Sequence, residues 1–162
     1  MSEKLKRYIG TKIIMARPMT RGLYNNYRGW AIPSNENPQD DGYLVVYPDN
    51  YESWSPAEVF EAAYRESNNL TFGLAIEAMK KGHKVARMGW NGKGMFIYIQ
   101  DGSRVNTEDL RAETMKDYCV DRAIQHVKIN PHIDMKAADG SLVIGWLASQ
   151  ADMLAEDWVI VE

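Results

Sequence analysis

Short apolar bursts separated by Pro, Gly and Asn run through the first third of the chain, which is the spacing of small strands and turns rather than long helices. Ile9 to Ala16 reads as a strand. Arg17 to Trp30 is turn-rich and leads into the Pro- and Asn-dense loop Pro33–Pro38. Tyr43-Leu44-Val45-Val46-Tyr47 is a continuous apolar strand, and Pro48-Asp49-Asn50 turns it back into a second short strand, Tyr51 to Trp54. Ser55-Pro56-Ala57-Glu58 carries two helix-start signals: Ser55 can cap with Glu58 closing a capping box, and Pro56 suits the first turn. Val59, Phe60, Ala63 and Tyr64 give that helix one apolar face.

Past the polar stretch Glu66-Ser67-Asn68-Asn69 the pattern turns helical. Thr71 is placed to cap a helix whose apolar face is Phe72, Ala75, Ile76 and Met79, with Lys80 and Lys81 in the last turn and Gly82 just beyond it. Lys84 to Met88 and Met95 to Ile99 are strands joined by the reversal Gly89-Trp90-Asn91-Gly92-Lys93-Gly94. Periodicity is poor from Arg111 to Gln125, so 101–125 reads as an insertion, although Thr107 to Leu110 offers a helix start. Val127–Ile129 and Ile133–Lys136 are strand-like and broken by Pro131. Ala138-Asp139-Gly140 signals a hairpin into Leu142–Trp146. Ser149 to Asp152 opens a short last helix, and Trp158 to Val161 is a final strand. The expected fold is α+β, with small antiparallel sheets and short helices in two compact modules, residues 1–66 and 70–162.

Composition narrows the function. Of 162 residues 45% are hydrophobic and 25% charged, enough apolar side chain for a real core. No apolar run nears the roughly 18 residues of a membrane helix. The charged start, Met1 to Arg7, lacks the apolar core of a secretory signal. The single cysteine, Cys119, excludes an internal disulfide and a cysteine zinc site, and fits a cytoplasmic protein. A net charge of −3 argues against duplex nucleic acid, which wants a basic footprint. A small anion in a local basic pocket stays compatible with that charge.

The densest candidate chemistry lies in Ala86-Arg87-Met88-Gly89-Trp90-Asn91-Gly92-Lys93-Gly94-Met95. Three glycines in six residues allow backbone N–H groups to approach a ligand, Arg87 or Lys93 can add charge-assisted bonds to phosphate, and Trp90 can stack on a purine. A hairpin turn with a buried tryptophan is the simpler reading of the same residues. It is not a P-loop, since the Gly-Lys-Ser/Thr ending is absent. His132 and Asp134 alternate on one strand face as an acid/base or metal pair, or more simply as a hydrogen-bonded pair; a metal needs further ligands. Ser149 lacks a nucleophile elbow, and capping accounts for it and for Asp152. Arg17, Arg21 and Arg28 interleave with Tyr24, Tyr27 and Trp30, which reads best as structural stacking.

Three stretches in one order carry a resemblance: Leu70-Thr71-Phe72-Gly73 through Lys84 to Met95; Pro131-His132-Ile133-Asp134-Met135-Lys136-Ala137-Ala138-Asp139-Gly140; and Gly145-Trp146 through Asp157-Trp158. Over about 70–162 the chain resembles a small phage domain, first catalogued as a family of unknown function and later tied to the first-described Thoeris anti-defence proteins. The resemblance implies a sponge without a cofactor. It would bind the cyclic ADP-ribose-type signal of bacterial TIR enzymes in the host cytoplasm and hold it uncleaved. It further implies cyclic di- or trinucleotide signals of CBASS at a separate site, and homo-oligomers with pockets at subunit interfaces. On that reading Arg87, Lys93 and the glycine backbone face phosphates, Trp90, Phe96 or Met95 the base, and Asn91, Asn130 and Asp134 hydroxyls or the adenine edge, with His132 alongside. The rival is a metal-dependent nucleotide hydrolase using His132 and Asp134, or a structural module. The first half resembles a short phage and prophage module of no assigned role, through Gly42-Tyr43-Leu44-Val45 and Ser53-Trp54-Ser55-Pro56.

Overall fold

A computed structural model describes residues 11–162, and the chain divides into two compact units, Met1–Glu66 and Ser67–Glu162. In the first unit, β1 (Met15–Pro18), β2 (Gly42–Val46) and β3 (Glu52–Pro56) form an antiparallel sheet in that order. The expected strand from Ile9 begins later, at Met15; Ile9, Gly10 and the charged stretch Met1–Arg7 lie outside the described residues. The turn-rich stretch holds a helix instead, α1 (Arg21–Arg28). The Thr20 hydroxyl accepts from the Leu23 N–H, and Gly29, at φ 68°, closes the helix. Gly22 hid this helix. A Cβ there would sit 2.7 Å from that of Pro38, so the glycine serves close packing rather than a turn.

Ser55 does not cap α2 (Ala57–Ala63). It pairs with Tyr43 in the β2–β3 ladder, and Pro56 occupies the cap position without a side-chain bond. Val59, expected on the apolar face, is exposed, whereas Phe60 stacks on Tyr43 at 4.1 Å and on Tyr64 at 4.9 Å. Met19, Tyr24 and Leu44 form the small core, closed by Trp54, whose Nε1 donates to the Met19 carbonyl.

The second unit is built on a five-stranded antiparallel sheet of order β10-β4-β5-β8-β9: Trp158–Val161, Lys84–Arg87, Phe96–Gln100, His132–Lys136 and Leu142–Val143. Helix α3 (Phe72–Lys80) starts at Thr71 as expected, and Gly82 follows its end at φ 89°. It lays Ala75, Ala78 and Met79 on Val85, Ile97, Met135 and the fully buried Trp158. Strand alternation puts Val85, Ile97 and Met135 on the helix-covered face, and Lys84, Phe96, Tyr98, Asp134 and Lys136 on the other.

The stretch 101–125, read as an insertion, holds regular structure. β6 (Ser103–Asn106) pairs with β7 (His126–Ile129), and a 3₁₀ turn (Thr107–Asp109) and α4 (Glu113–Asp121) lie between them. Its helical period is faint because α4 buries only Cys119. Ser149 and Asp152 form the expected capping box at α5 (Gln150–Met153). The whole is α+β with antiparallel pairing throughout.

Candidate functional site

The residues expected to bind a ligand fall into two groups on opposite faces of the five-stranded sheet. Arg87 ends β4 on the helix-covered side, where it is held between two carboxylates. Its Nε donates to Asp157 Oδ1 at 2.8 Å and its Nη1 to Asp152 Oδ1 at 3.0 Å. Asp157 also accepts from the Gly89 N–H at 2.8 Å; Asp152 accepts from Trp90 Nε1 at 3.2 Å and from the Ser149 hydroxyl at 2.6 Å. Burial pushes the Asp152 carboxyl up, but the donors Ser149, Arg87 and Trp90 outweigh it and hold it at about 2. The Arg87 bond likewise holds Asp157 below the usual carboxylate range. One guanidinium with two carboxylates sums to −1, and the guanidinium expected to face a phosphate is engaged by Asp152 and Asp157.

Trp90 follows the simpler reading of its loop. It packs edge-on against Trp146 and Trp158, with centroids 6.1 and 5.4 Å away, and is half-buried. Its ring is committed to this aromatic cluster and is not presented as a purine platform. Asn91 and Lys93 are exposed in the loop, and Met95 is half-buried against the core. A Cβ on Gly89 would sit 2.8 Å from the Asp157 carboxylate, so the glycine is what allows that contact.

The open face carries the rest. Phe96 lies opposite Lys136, Tyr98 opposite Asp134, and Gln100 opposite His132. Asp134 is buried and accepts from the Gly145 N–H at 2.9 Å. His132 Nδ1 donates to the Asn130 carbonyl at 2.8 Å, and its Nε2 lies 3.4 Å from Asp134 Oδ1. The hydrogen bond of the ring is thus to Asn130, and Nε2 stands at ion-pair distance from Asp134. Asn130 itself is exposed in the turn before β8. Among the described residues, no group of three or more His, Cys, Asp or Glu side chains is placed to hold a metal.

Beside Phe96 lies a concavity of about 360 Å³, whose walls include His83, Lys84, Phe96, Tyr98, Lys136 and Leu142. Its described lining contains no acidic side chain. Lys84 Nζ sits 5.4 Å from the Phe96 centroid and donates to the main-chain oxygen of Glu162; Lys136 Nζ donates to the Gly94 carbonyl. Among the described residues neither ammonium makes a side-chain ion pair of the Arg87 kind, although Lys136, after the Ser141 bonds, helps to hold the Asp139 carboxyl below the usual carboxylate range. Of this lining the sequence reading named Phe96 and left out Lys84, Lys136, Tyr98 and His83. The available signal was the alternation Lys84-x-Ala86 and Asp134-x-Lys136, which puts polar and small groups on one sheet face. A larger concavity of about 520 Å³ lies among Asn106, Lys116, Val120 and His126 and holds none of the expected residues.

The second unit is thus a small antiparallel α+β domain with a clamped glycine-rich loop and a sheet face that carries Lys84, Phe96, Tyr98 and Lys136. Residues 70–161 match the model of the Thoeris anti-defense 2-like domain. The same region is similar to Thoeris anti-defense 2 of Bacillus phage SP01, at 34% identity over 92 residues, 57% of this chain and 94% of the relative. The chain belongs to the Thoeris anti-defense 2-like family. This bears out the resemblance to Thoeris anti-defence proteins expected for about 70–162, and the matching type is anti-defense 2. Among the described residues no helix is long and apolar enough to cross a membrane.

Proposed function

We propose that the C-terminal unit sequesters, without cleaving it, a cyclic ADP-ribose-type signal in the host cytoplasm, and so keeps the Thoeris effector silent. The observation that carries this reading is the pair of ammonium groups, Lys84 and Lys136, flanking Phe96 and Tyr98 in a concavity lined by no acidic side chain. Two cations match two phosphates, and a ring offers a base a surface to stack on. Phe96 and Tyr98 lie 6.1 Å apart and supply rings. A ligand of about 35 heavy atoms at roughly 0.3 kcal/mol each reaches on the order of 10 kcal/mol, or tens of nanomolar.

The concavity is open, so tight binding calls for a second wall, and we assign that wall to another copy of the chain. The apolar side chains Leu142, Val143, Ile144 and Leu147 are all exposed, Leu147 at 89%, at the β9 edge and just after it. Such a run favours association over solvent. Cyclic di- or trinucleotides offer the same phosphates and bases to the same kind of surface.

The test is to incubate the protein with cyclic ADP-ribose isomers or cyclic trinucleotides, heat-denature it and analyse the released small molecules by mass spectrometry. Sequestration returns the ligand intact; a hydrolysed product instead supports the metal-dependent hydrolase. Lys136→Glu is expected to weaken calorimetric affinity by at least about tenfold, the value of one charge-assisted bond, with the fold unchanged. Equal affinity removes the open face from the site.

A further inference from the structure

The strongest arrangement outside that concavity is the charged cluster at the root of the glycine-rich loop. Asp152 accepts four bonds from three side chains and a main-chain N–H: Ser149 Oγ at 2.6 Å and Ser149 N at 3.1 Å, Arg87 Nη1 at 3.0 Å and Trp90 Nε1 at 3.2 Å. The Ser149 bonds are a helix cap and would suffice to explain a Ser-x-x-Asp sequence. The other two bonds do something a cap does not need. They reach across 65 and 62 residues of sequence, to the last residue of β4 and to the second residue of the loop. Arg87 passes the constraint on to Asp157, which in turn takes the Gly89 N–H at 2.8 Å. Gly89 and Trp90 are thereby fixed from two sides before the chain turns through Asn91, Gly92 and Lys93. The far end of the loop is fixed as well, since the Gly94 carbonyl accepts from Lys136 Nζ at 3.1 Å. The loop thus runs from a carboxylate clamp at its root to one of the two ammonium groups on the open face.

We propose that Asp152 is a positioning residue for nucleotide capture. By holding Arg87 and Trp90 it sets the shape of loop 89–95, and through Gly94 the place of the Lys136 ammonium. This rests on the sequestration reading for its ligand, but the positioning itself is a property of the free protein. Asp152 touches no part of the concavity and acts only through the residues it holds. Asparagine in its place keeps the shape and loses the charge, which weakens both the Arg87 and Trp90 bonds. Alanine at Ser149 removes the cap hydroxyl and leaves the Arg87 and Trp90 bonds available.

The experiment compares Asp152→Asn with Ser149→Ala in the full chain, by amide hydrogen exchange over residues 88–95 and by calorimetry with cyclic ADP-ribose. Asp152→Asn is expected to speed exchange of the loop amides at least tenfold, and to weaken affinity about tenfold, with the amides of β8 and β10 unchanged. Ser149→Ala is expected to lower the melting temperature while leaving loop exchange and affinity as in the parent. Equal loop exchange in the two variants reduces Asp152 to a cap and overturns the proposal. So does unchanged loop exchange in Asp152→Asn, or a loosened loop with undiminished affinity. A parent chain that binds no nucleotide refutes the sequestration reading, while the exchange arm still decides whether Asp152 shapes the loop.

Discussion

Replacing Arg87 by alanine separates its two possible roles, because a phosphate ligand and a structural clamp predict opposite results. As a free phosphate ligand, Arg87→Ala would lower affinity and leave the fold alone. In the structure the guanidinium makes close bonds to Asp157 at 2.8 Å and Asp152 at 3.0 Å, and its side chain is only 19% exposed. Its removal deletes two charge-assisted bonds worth about 1.5–3 kcal/mol each, and leaves two carboxylates without their shared counter-ion. Partial exposure screens the loss, so the net cost is about 2–4 kcal/mol. The C-terminal unit, 67–162, has a size at which each kcal/mol moves the midpoint by about 4–8 °C. The thermal transition should therefore fall by roughly 10–20 °C, read by near-ultraviolet dichroism of the tryptophan cluster at neutral pH. Arg87→Lys keeps one charge but cannot span both carboxylates, and should recover less than half of the loss. A melting temperature within about 2 °C of the parent for Arg87→Ala would refute the clamp.

Acid should weaken the same cluster. Asp152 and Asp157 are both held below the ordinary range, so their contribution is complete above about pH 4 and is lost as the pH falls toward about 2. A carboxyl moved from 3.8 to about 2 contributes roughly 2 kcal/mol at neutral pH. Urea midpoints should decline between pH 4 and 2.5, and less steeply in Asp152→Asn; a flat profile in the parent contradicts the assignment. In the N-terminal unit, a Cβ on Gly42 would overlap the Trp54 indole, which its bond to the Met19 carbonyl holds in place. Gly42→Ala should cost that unit about 1–3 kcal/mol in denaturant unfolding, and an unchanged midpoint would show that the indole yields.

Local signals were legible where a single physical cause acted. Thr71 and Ser149 cap because their hydroxyls reach N–H groups three residues on, a purely local geometry. The β2, β5 and β10 strands announce themselves as apolar runs, and of their residues only Gln100 is exposed. What stayed hidden depends on distant partners. Helix α1 is polar and contains a glycine whose reason is Pro38, sixteen residues away in sequence. Ser55 had every local feature of a cap, and the pairing with Tyr43 claimed it for a strand. Arg87 could not be told from a ligand-facing arginine, because its carboxylates stand 65 and 70 residues further on.

That last case bears on where an anion can bind. The sequence presents arginine and lysine beside a glycine-rich turn as one basic patch, but the fold sorts these cations by partner. Arg87 faces two carboxylates, whereas Lys84 and Lys136 donate to main-chain oxygens of Glu162 and Gly94. The Arg87 cluster sums to −1, while the concavity beside Phe96 is lined by two lysines and no acidic side chain. The loop between them is tied to one cluster at Gly89 and to the other at Gly94. A dianionic ligand drawn to the Phe96 face would pull on Lys136, hence on Gly94. The Arg87 clamp is what keeps the loop from following, so rigidity at one end of the turn is a condition for affinity at the other.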